Sequence, residues 1–392
     1  MRPIHPFPAR MAPEIISEML DQLPRGARIL DPMCGSGVVL RQAGCRGHAV
    51  QGVDVDPLAV LMSRVWTSGA SSSAVSEAAS AVLLKARRSR LTPAGLGHIG
   101  RCSETREFVD FWFAEKQRKQ LARLSNAIFL HDCSAPVRNL LQLALSRTIV
   151  TKHVGASLAW DVSHSRPHRM RTENDYDVYI GFESSVRAIQ SRLTSQITGK
   201  VRVKQGDCRD LTALVGGKFD AIITSPPYLN AIDYLRGHKL ALVWLGYTIP
   251  VLRQIRAGSI GTENSGSTRH RRVADYSGLG DLISGISDLP VRQKSIINKY
   301  AIDAEAMLRE MRAVIAPGGR LVLVLADSVV RGVEVPSSKI FSEIAHRIGF
   351  KTIDRVVREI PAAKRYLPIA GETSSLARRM RYESIETFRV AD

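Results

Sequence analysis

The sequence predicts an α/β domain built on a doubly wound, mostly parallel sheet. Three observations carry that prediction: an apolar segment entering a glycine-rich turn and then a helix near residue 30, a strand ending on Asp54, and an apolar run at 320–326 that follows a long amphipathic helix. Parallel strands covered on both faces read as such near-continuous apolar runs, alternating with helices.

The first strand, Ala27-Arg28-Ile29-Leu30, leads into Asp31-Pro32-Met33-Cys34-Gly35-Ser36-Gly37, and Val38-Val39-Leu40 continues as a helix. Glycines at 35 and 37 let the backbone approach a ligand closely at a helix N-terminus, as in dinucleotide-binding folds, although the spacing is not GxGxxG. His48 to Asp54 is the next strand, and an acid at its end can hold the two ribose hydroxyls of an adenosyl ligand. Asp56, just before Pro57, is an N-cap with proline at the first helical position. A third strand, Val201 to Val203, leads into Gly206-Asp207, where Asp207 either meets an adenine amine or caps a helix.

The fourth strand (Phe219, Ala221, Ile222, Ile223) stops in Ser225-Pro226-Pro227-Tyr228. Two prolines fix φ near −65° and remove two donors, leaving a stiff bend with free carbonyls. Ser225 Oγ and the Pro226 carbonyl can accept both N–H bonds of a nucleobase amine, orient its lone pair and stabilise positive charge growing on nitrogen. Tyr228 would stack on the base, which must then have left its duplex. The plainer reading is a Pro-Pro turn after a buried strand.

Together these segments resemble the S-adenosylmethionine-dependent DNA amino-methyltransferases, which make N4-methylcytosine and N6-methyladenine. The resemblance implies a Rossmann-like class I methyltransferase fold and S-adenosylmethionine as cofactor. It also implies that His5-Pro6-Phe7-Pro8 touches the methionine end, that Asp31, Pro32, Cys34, Gly35, Ser36 and Gly37 form the cofactor loop, and that Ser225, Pro226, Pro227 and Tyr228 form the catalytic one. Met33 replaces an aromatic usual in the family. A motif opened by serine and closed by tyrosine leans towards cytosine N4 without excluding adenine. The resemblance covers residues 1–60 and 200–250 best. Double-stranded DNA is the implied substrate, and a cognate restriction endonuclease is the partner that such a resemblance admits.

Bulk composition agrees. The chain has 392 residues, 44% of them hydrophobic, enough for one large domain with a substantial insertion. Lys and Arg number 55 against 37 Asp and Glu, and the net charge of +18 points to a polyanionic partner. No apolar stretch approaches the roughly 20 residues of a membrane span, and the N-terminus lacks a signal-peptide core, so a cytoplasmic, nucleic-acid-associated protein without membrane contact is expected. Five scattered cysteines without a CxxC pair indicate neither a disulfide framework nor zinc. Cys34 is a candidate nucleophile by type, but its place inside a cofactor turn favours a structural role.

Residues 58–200 form an excursion far longer than the dozen or so residues a crossover needs. Apolar spacing predicts helices over Leu58–Val65, Ala74–Lys85, Glu107 through Leu130, and Leu140–Ile149, hence a mostly helical insertion suited to DNA recognition. Phe111-Trp112-Phe113 within it either stacks bases or fills a core. Ser163 to Arg171 is a basic, proline-broken loop whose Arg166, Arg169 and Arg171 offer donors to phosphate, or simply a solvated face. His164 and His168 are split by Pro167, so no metal site is expected.

After the catalytic motif, Asn230–Tyr234 and Lys239–Gly246 predict a helix ending at glycine, and Arg253–Gly280 a basic loop in which Arg269, Arg271 and Arg272 would close over nucleic acid. Tyr300–Ile315 is a helix stopped by Pro317-Gly318-Gly319 before the 320–326 strand. Ser338–Ile348 is another helix, and Phe350–Val356 with Glu383–Val390 are edge strands that pair antiparallel in the resembling family. Three other readings stay open: an RNA amino-methyltransferase, a small-molecule methyltransferase, and a DNA-binding protein without catalysis.

Overall fold

Apolar side chains alternate along each central strand, so each strand must bury both faces. Ile29, Val50, Ala221, Ile223, Val322 and Val324 face one hydrophobic cluster, while Leu30, Val53, Ile222, Leu321, Leu323 and Leu325 face the other. In the computed structural model, which describes residues 2–7, 10–160, 162, 167–193, 195–229, 233–261, 282–360 and 381–390, these strands form one seven-stranded sheet. The strands are β1 (Arg28–Asp31), β2 (Ala49–Asp54), β5 (Val201–Gln205), β6 (Phe219–Thr224), β7 (Ile315–Leu325), β10 (Phe350–Glu359) and β11 (Tyr382–Val390). Their order is β10-β11-β7-β6-β1-β2-β5. Strands β5, β2, β1, β6 and β7 run parallel, and β11 is antiparallel to both β7 and β10. The doubly wound, Rossmann-like sheet and its antiparallel edge are thus as expected.

The strand order reverses at β1, which has β2 on one side and β6 on the other. Open α/β sheets bind ligands outside the carboxyl ends of the strands at such a switch point. Both loops singled out in the sequence leave the sheet there, one after β1 and one after β6.

Helices Pro13–Asp21, Val38–Cys45 and Pro57–Trp66 cover one face. Helices Val291–Val314 and Ser337–Arg347 cover the other. Asp56 caps the third of these as expected, accepting from the Leu58 N–H at 2.9 Å. The excursion is helical, with helices Ser72–Arg88, Ser103–Trp112, Glu115–Phe129, Ala135–Arg147 and Val178–Gln190. Their apolar faces (Val75, Val82, Leu121, Leu141, Phe182) join the same cluster as Ile29 and Val50, so the insertion is continuous with the sheet's own core.

Several boundaries differ from the sequence reading. The stretch from Glu107 to Leu130 is two helices, because Phe113 is extended and drops into the core, edge-on to Trp244 at 5.2 Å. The loop around residue 168 contains strand β4 (His168–Arg169), paired with β3 (Ala159–Trp160). Arg253 lies in the helix Ile249–Gly258, not in a loop. The helix after Asp233 starts only at Tyr234. The long helix before β7 spans Val291–Val314, and Pro317-Gly318-Gly319 bulges from the ladder: Phe219 pairs with Ile315, yet Ala221 already pairs with Arg320.

Candidate active site

The loop after β1 is shaped by two left-handed glycines. Gly35 (φ +50°) and Gly37 (φ +84°) adopt a region that side-chain-bearing residues rarely enter. A Cβ on Gly37 would lie 2.7 Å from Ser63 Oγ and 2.9 Å from Ser63 Cα, and one on Gly35 would lie 3.1 Å from the Phe7 ring. Between them Ser36 Oγ is buried and has no hydrogen-bond partner among the described residues. The loop therefore presents backbone and one unsatisfied hydroxyl at the start of the helix Val38–Cys45, as a close-approaching polar ligand requires.

Carboxylates lock this loop to the neighbouring strands. Asp54, at the end of β2, accepts from the Gly35 N–H at 2.7 Å and from the Asp56 N–H at 2.9 Å. Asp31, at the end of β1, accepts from Thr224 Oγ1 at 2.8 Å and from the Met33 N–H at 3.3 Å. The Thr224 bond crosses the switch point and ties the end of β6 to the end of β1. Burial pushes both acids up to about 7, with the hydrogen bonds opposing it. Asp54 keeps one further lone pair on each oxygen, so it fits a pair of ribose hydroxyls.

Cys34 is buried, its thiol is pushed well above the ordinary range by burial and then by Asp54, and it sits 3.5 Å from Ser63 Oγ. A thiol held protonated is a poor nucleophile, which agrees with its place inside the turn. Asp207 follows β5 but caps the short turn Cys208–Asp210 and grips Arg209 through Nε at 2.9 Å and a second guanidinium nitrogen at 2.5 Å. Its capping role is formed, and Arg209 in turn reaches Asp303 at 2.5 Å.

The N-terminal segment divides its work. His5 bonds within its own segment and to the insertion. It is buried, with Nδ1 donating to the Pro6 carbonyl at 2.8 Å and Nε2 3.0 Å from Ser146 Oγ, and burial drives its pKa well down, so the neutral ring accepts from the serine. His5 anchors the segment on the insertion, and contact with the loop falls to Phe7. Phe7 lies against Gly35 and stacks on Tyr234 with centroids 4.8 Å apart and planes within 7°. Pro6 precedes it, half-buried. Pro8 lies outside the described residues.

After β6, Ser225-Pro226-Pro227-Tyr228 emerges beside this loop. Ser225 Oγ is 3.4 Å from the Tyr228 hydroxyl, and burial raises that phenol to about 12. No donor bonds the Pro226 carbonyl among the described residues, whereas its neighbours are held. Tyr300, in the helix Val291–Val314, donates to the Pro227 carbonyl at 3.0 Å. Ser328, in strand β8 (Ser328–Val330), donates to the Leu229 carbonyl at 2.9 Å. Helix Tyr234–Leu242 then packs near the start of the helix Pro57–Trp66, where His238 Nδ1 meets Asp56 Oδ2 at 2.5 Å, both residues buried.

Sequence reasoning missed Tyr300, Ser328, Thr224 and His238. Only Thr224 carried a signal, as the residue entering the proline motif. Of the expected phosphate contacts, Arg169 lies over the Phe111 ring at 4.7 Å and Arg171 over Trp160 at 5.5 Å. Arg166, Arg269, Arg271 and Arg272 lie outside the described residues, as does His164.

No protein-family model matches the chain. It is 22% identical over 389 residues to the Type II methyltransferase M.MvaI of Kocuria varians, covering 91% of this chain and 83% of that one. It is also 22% identical over 208 residues to the Type II methyltransferase M.BsoBI of Geobacillus stearothermophilus, covering 46% of this chain and 41% of that one. A TehB-like SAM-dependent methyltransferase of Corynebacterium glutamicum superposes with a TM-score of 0.31 at 10% identity, covering 96% and 86% of the two chains. The fold assignment rests on strand order and direction.

Proposed function

We propose that this homologue of the Type II methyltransferases transfers a methyl group from S-adenosylmethionine to an exocyclic amine of a DNA base, cytosine N4 ahead of adenine N6. The observation that carries the reading is the joining of two loops at one switch point: the glycine loop and the Ser-Pro-Pro-Tyr loop leave adjacent strands, bonded together through Asp31 and Thr224.

S-adenosylmethionine, when bound, supplies a sulfonium-activated methyl group. Gly35, Ser36 and Gly37 cradle it, with Asp31, Pro32 and Cys34 fixing the turn and Phe7 closing one side. Asp54 takes the ribose hydroxyls, and Asp207, held rigid by Arg209, takes the adenine amine. The target base leaves the duplex to reach Ser225. Ser225 Oγ and the Pro226 carbonyl accept the two amine N–H bonds. A base amine is a poor nucleophile because its lone pair is delocalised into the ring, and these acceptors favour the pyramidal nitrogen that attacks. Pro227 stiffens the loop and Tyr228 provides the stacking face. Methylation makes the amine acidic, so its proton passes to water without a strong base. Cytosine N4 is favoured by the serine that opens the motif and the tyrosine that closes it.

Duplex DNA is the substrate, with Arg169 and Arg171 on phosphates, joined by Arg166, Arg269, Arg271 and Arg272 from the basic stretches. A restriction endonuclease of the same specificity is the partner that such an activity implies. The test is incubation with methyl-labelled S-adenosylmethionine and mixed duplex DNA and RNA, digestion to nucleosides, and mass spectrometry. N4-methylcytosine from DNA is expected, N6-methyladenine would change the base, and label confined to RNA would overturn the substrate class.

A further inference from the structure

Arginines and lysines near the site fall into two groups. Arg253 pairs with Glu104, Arg256 with Asp233 and Arg118 with Asp110. Lys239, Arg169 and Arg171 have no carboxylate in ion-pair contact among the described residues, and each lies instead over an aromatic ring.

Phe108 and Phe111 are joined through Trp112, and the β3–β4 pairing connects them to Trp160. Lys239, in the helix that follows the catalytic loop, sits 5.2 Å from the Phe108 centroid. Phe108 touches Trp112 at 6.2 Å, and Trp112 meets Phe111 edge-on at 5.1 Å. Arg169 covers Phe111 on the far side, and the β3–β4 hairpin then carries Trp160 beneath Arg171. The outer rings are open to solvent: Phe111 is 49% and Trp160 50% exposed. A cation seated on a ring face keeps its N–H edges outward, and the ring offers an apolar surface to a sugar. Burial and the nearby Arg256 hold Lys239 below its ordinary pKa, a strain that an anion would relieve.

We infer that this ladder, from Lys239 through Phe108, Trp112 and Phe111 to the arginines of the β3–β4 hairpin, is a track for the sugar–phosphate backbone of duplex DNA flanking the extruded base. The track rests on the DNA methyl-transfer reading and extends it to a defined surface. Cations without an ion-pair partner among the described residues, on a chain of net charge +18, select a polyanion, and the track starts on the helix that follows the catalytic loop.

The test combines equilibrium binding with fluorescence. Trp66 and Trp244 are buried, at 1% and 0% exposure, so a change in tryptophan emission on adding duplex DNA reports Trp112 and Trp160. Emission should change with wild type, and the change should shrink in Trp160→Phe. Each phosphate contact contributes about 0.9 to the slope of log affinity against log salt, so Arg169→Ala/Arg171→Ala should lower that slope by about two and Lys239→Ala by about one, for any duplex sequence. Unfolding temperature and cofactor affinity of each variant serve as folding controls. If wild type binds DNA and the variants keep its affinity and slope, the track is overturned while the methyl-transfer reading stands. A wild-type chain that binds no duplex overturns both.

Discussion

The Tyr300 hydroxyl donates to the Pro227 carbonyl across 3.0 Å, from a buried side chain on the far side of the sheet's edge from the glycine loop. Burial raises its pKa above the ordinary phenol range, so the hydroxyl remains a donor at any working pH. With Ser328 holding the Leu229 carbonyl, the bend is fixed on both sides of Tyr228, while no donor bonds the Pro226 carbonyl among the described residues. Tyr300→Phe removes one neutral hydrogen bond and leaves a carbonyl unpaired, a loss of about 1–2 kcal/mol. Turnover should fall about tenfold with cofactor affinity unchanged. Steady-state kinetics beside calorimetry checks this, and equal loss of cofactor binding would make Tyr300 a general packing residue.

Under the proposed mechanism, Ser225→Ala acts at the reacting nitrogen. Removing one preorganised acceptor should lower kcat by about one to three decades and leave cofactor binding nearly intact. Single-turnover methylation of duplex DNA separates that effect from product release.

The sign of the pH effect at Asp54 follows from burial. Its folded pKa of about 7 lies above the ordinary value, so between about 4 and 7 the folded chain binds the extra proton; the associated stability is present at low pH and lost as pH rises through 7. Under the proposed assignment, ribose hydroxyls bond the ionised form of Asp54. Cofactor affinity should therefore rise with pH and level off above about 7, with proton release on binding below that point. Calorimetry in two buffers of different ionisation enthalpy measures the release. Asp54→Asn should remove most of it, because Asp31, also near 7, spends its bonds on Thr224 and Met33.

Asp56 and His238 join the start of one helix to the middle of another. Asp56→Asn keeps a good N-cap while disrupting the 2.5 Å contact with His238. His238→Ala leaves a buried carboxylate oxygen without its partner and should destabilise the fold by about 2–4 kcal/mol. Chemical denaturation of both variants and their double mutant gives the coupling, and additive effects would mean that the pair contributes nothing.

The two loop glycines should differ. Alanine at 37 meets the Ser63 backbone at 2.9 Å at a strained φ, whereas alanine at 35 meets only the Phe7 ring. Gly37→Ala should therefore lose more cofactor affinity and thermal stability than Gly35→Ala. Equal losses would show that φ strain outweighs the clash.

Local chemistry made much of this legible. The glycine turn, the Asp56–Pro57 start, the proline bend and the edge strands are written in adjacent residues, because φ restrictions and caps act within a few positions. The site's tertiary bonds are not. Tyr300 stands 73 positions from Pro227, and within its amphipathic helix it reads as one more apolar contact. Asp207 reads equally as ligand or cap in the sequence, and its grip on Arg209 is visible only in the fold. The two ring nitrogens of His5 are bonded to Pro6 and Ser146, and the second of these pairings, across 141 positions, carries no local signal.

The helices between β2 and β5 share their apolar interior with the sheet, and that limits how such a chain can change its target. A recognition unit with its own core can be exchanged whole between enzymes, like a cassette. Here excision would strip cover from the helix Pro57–Trp66, on which the helix Ala135–Arg147 packs, and open the core it shares with the sheet. If these helices are the recognition unit, as proposed, its specificity is open to change by point substitution at exposed positions such as Phe111, Trp160 and Met170 and closed to exchange of the whole module.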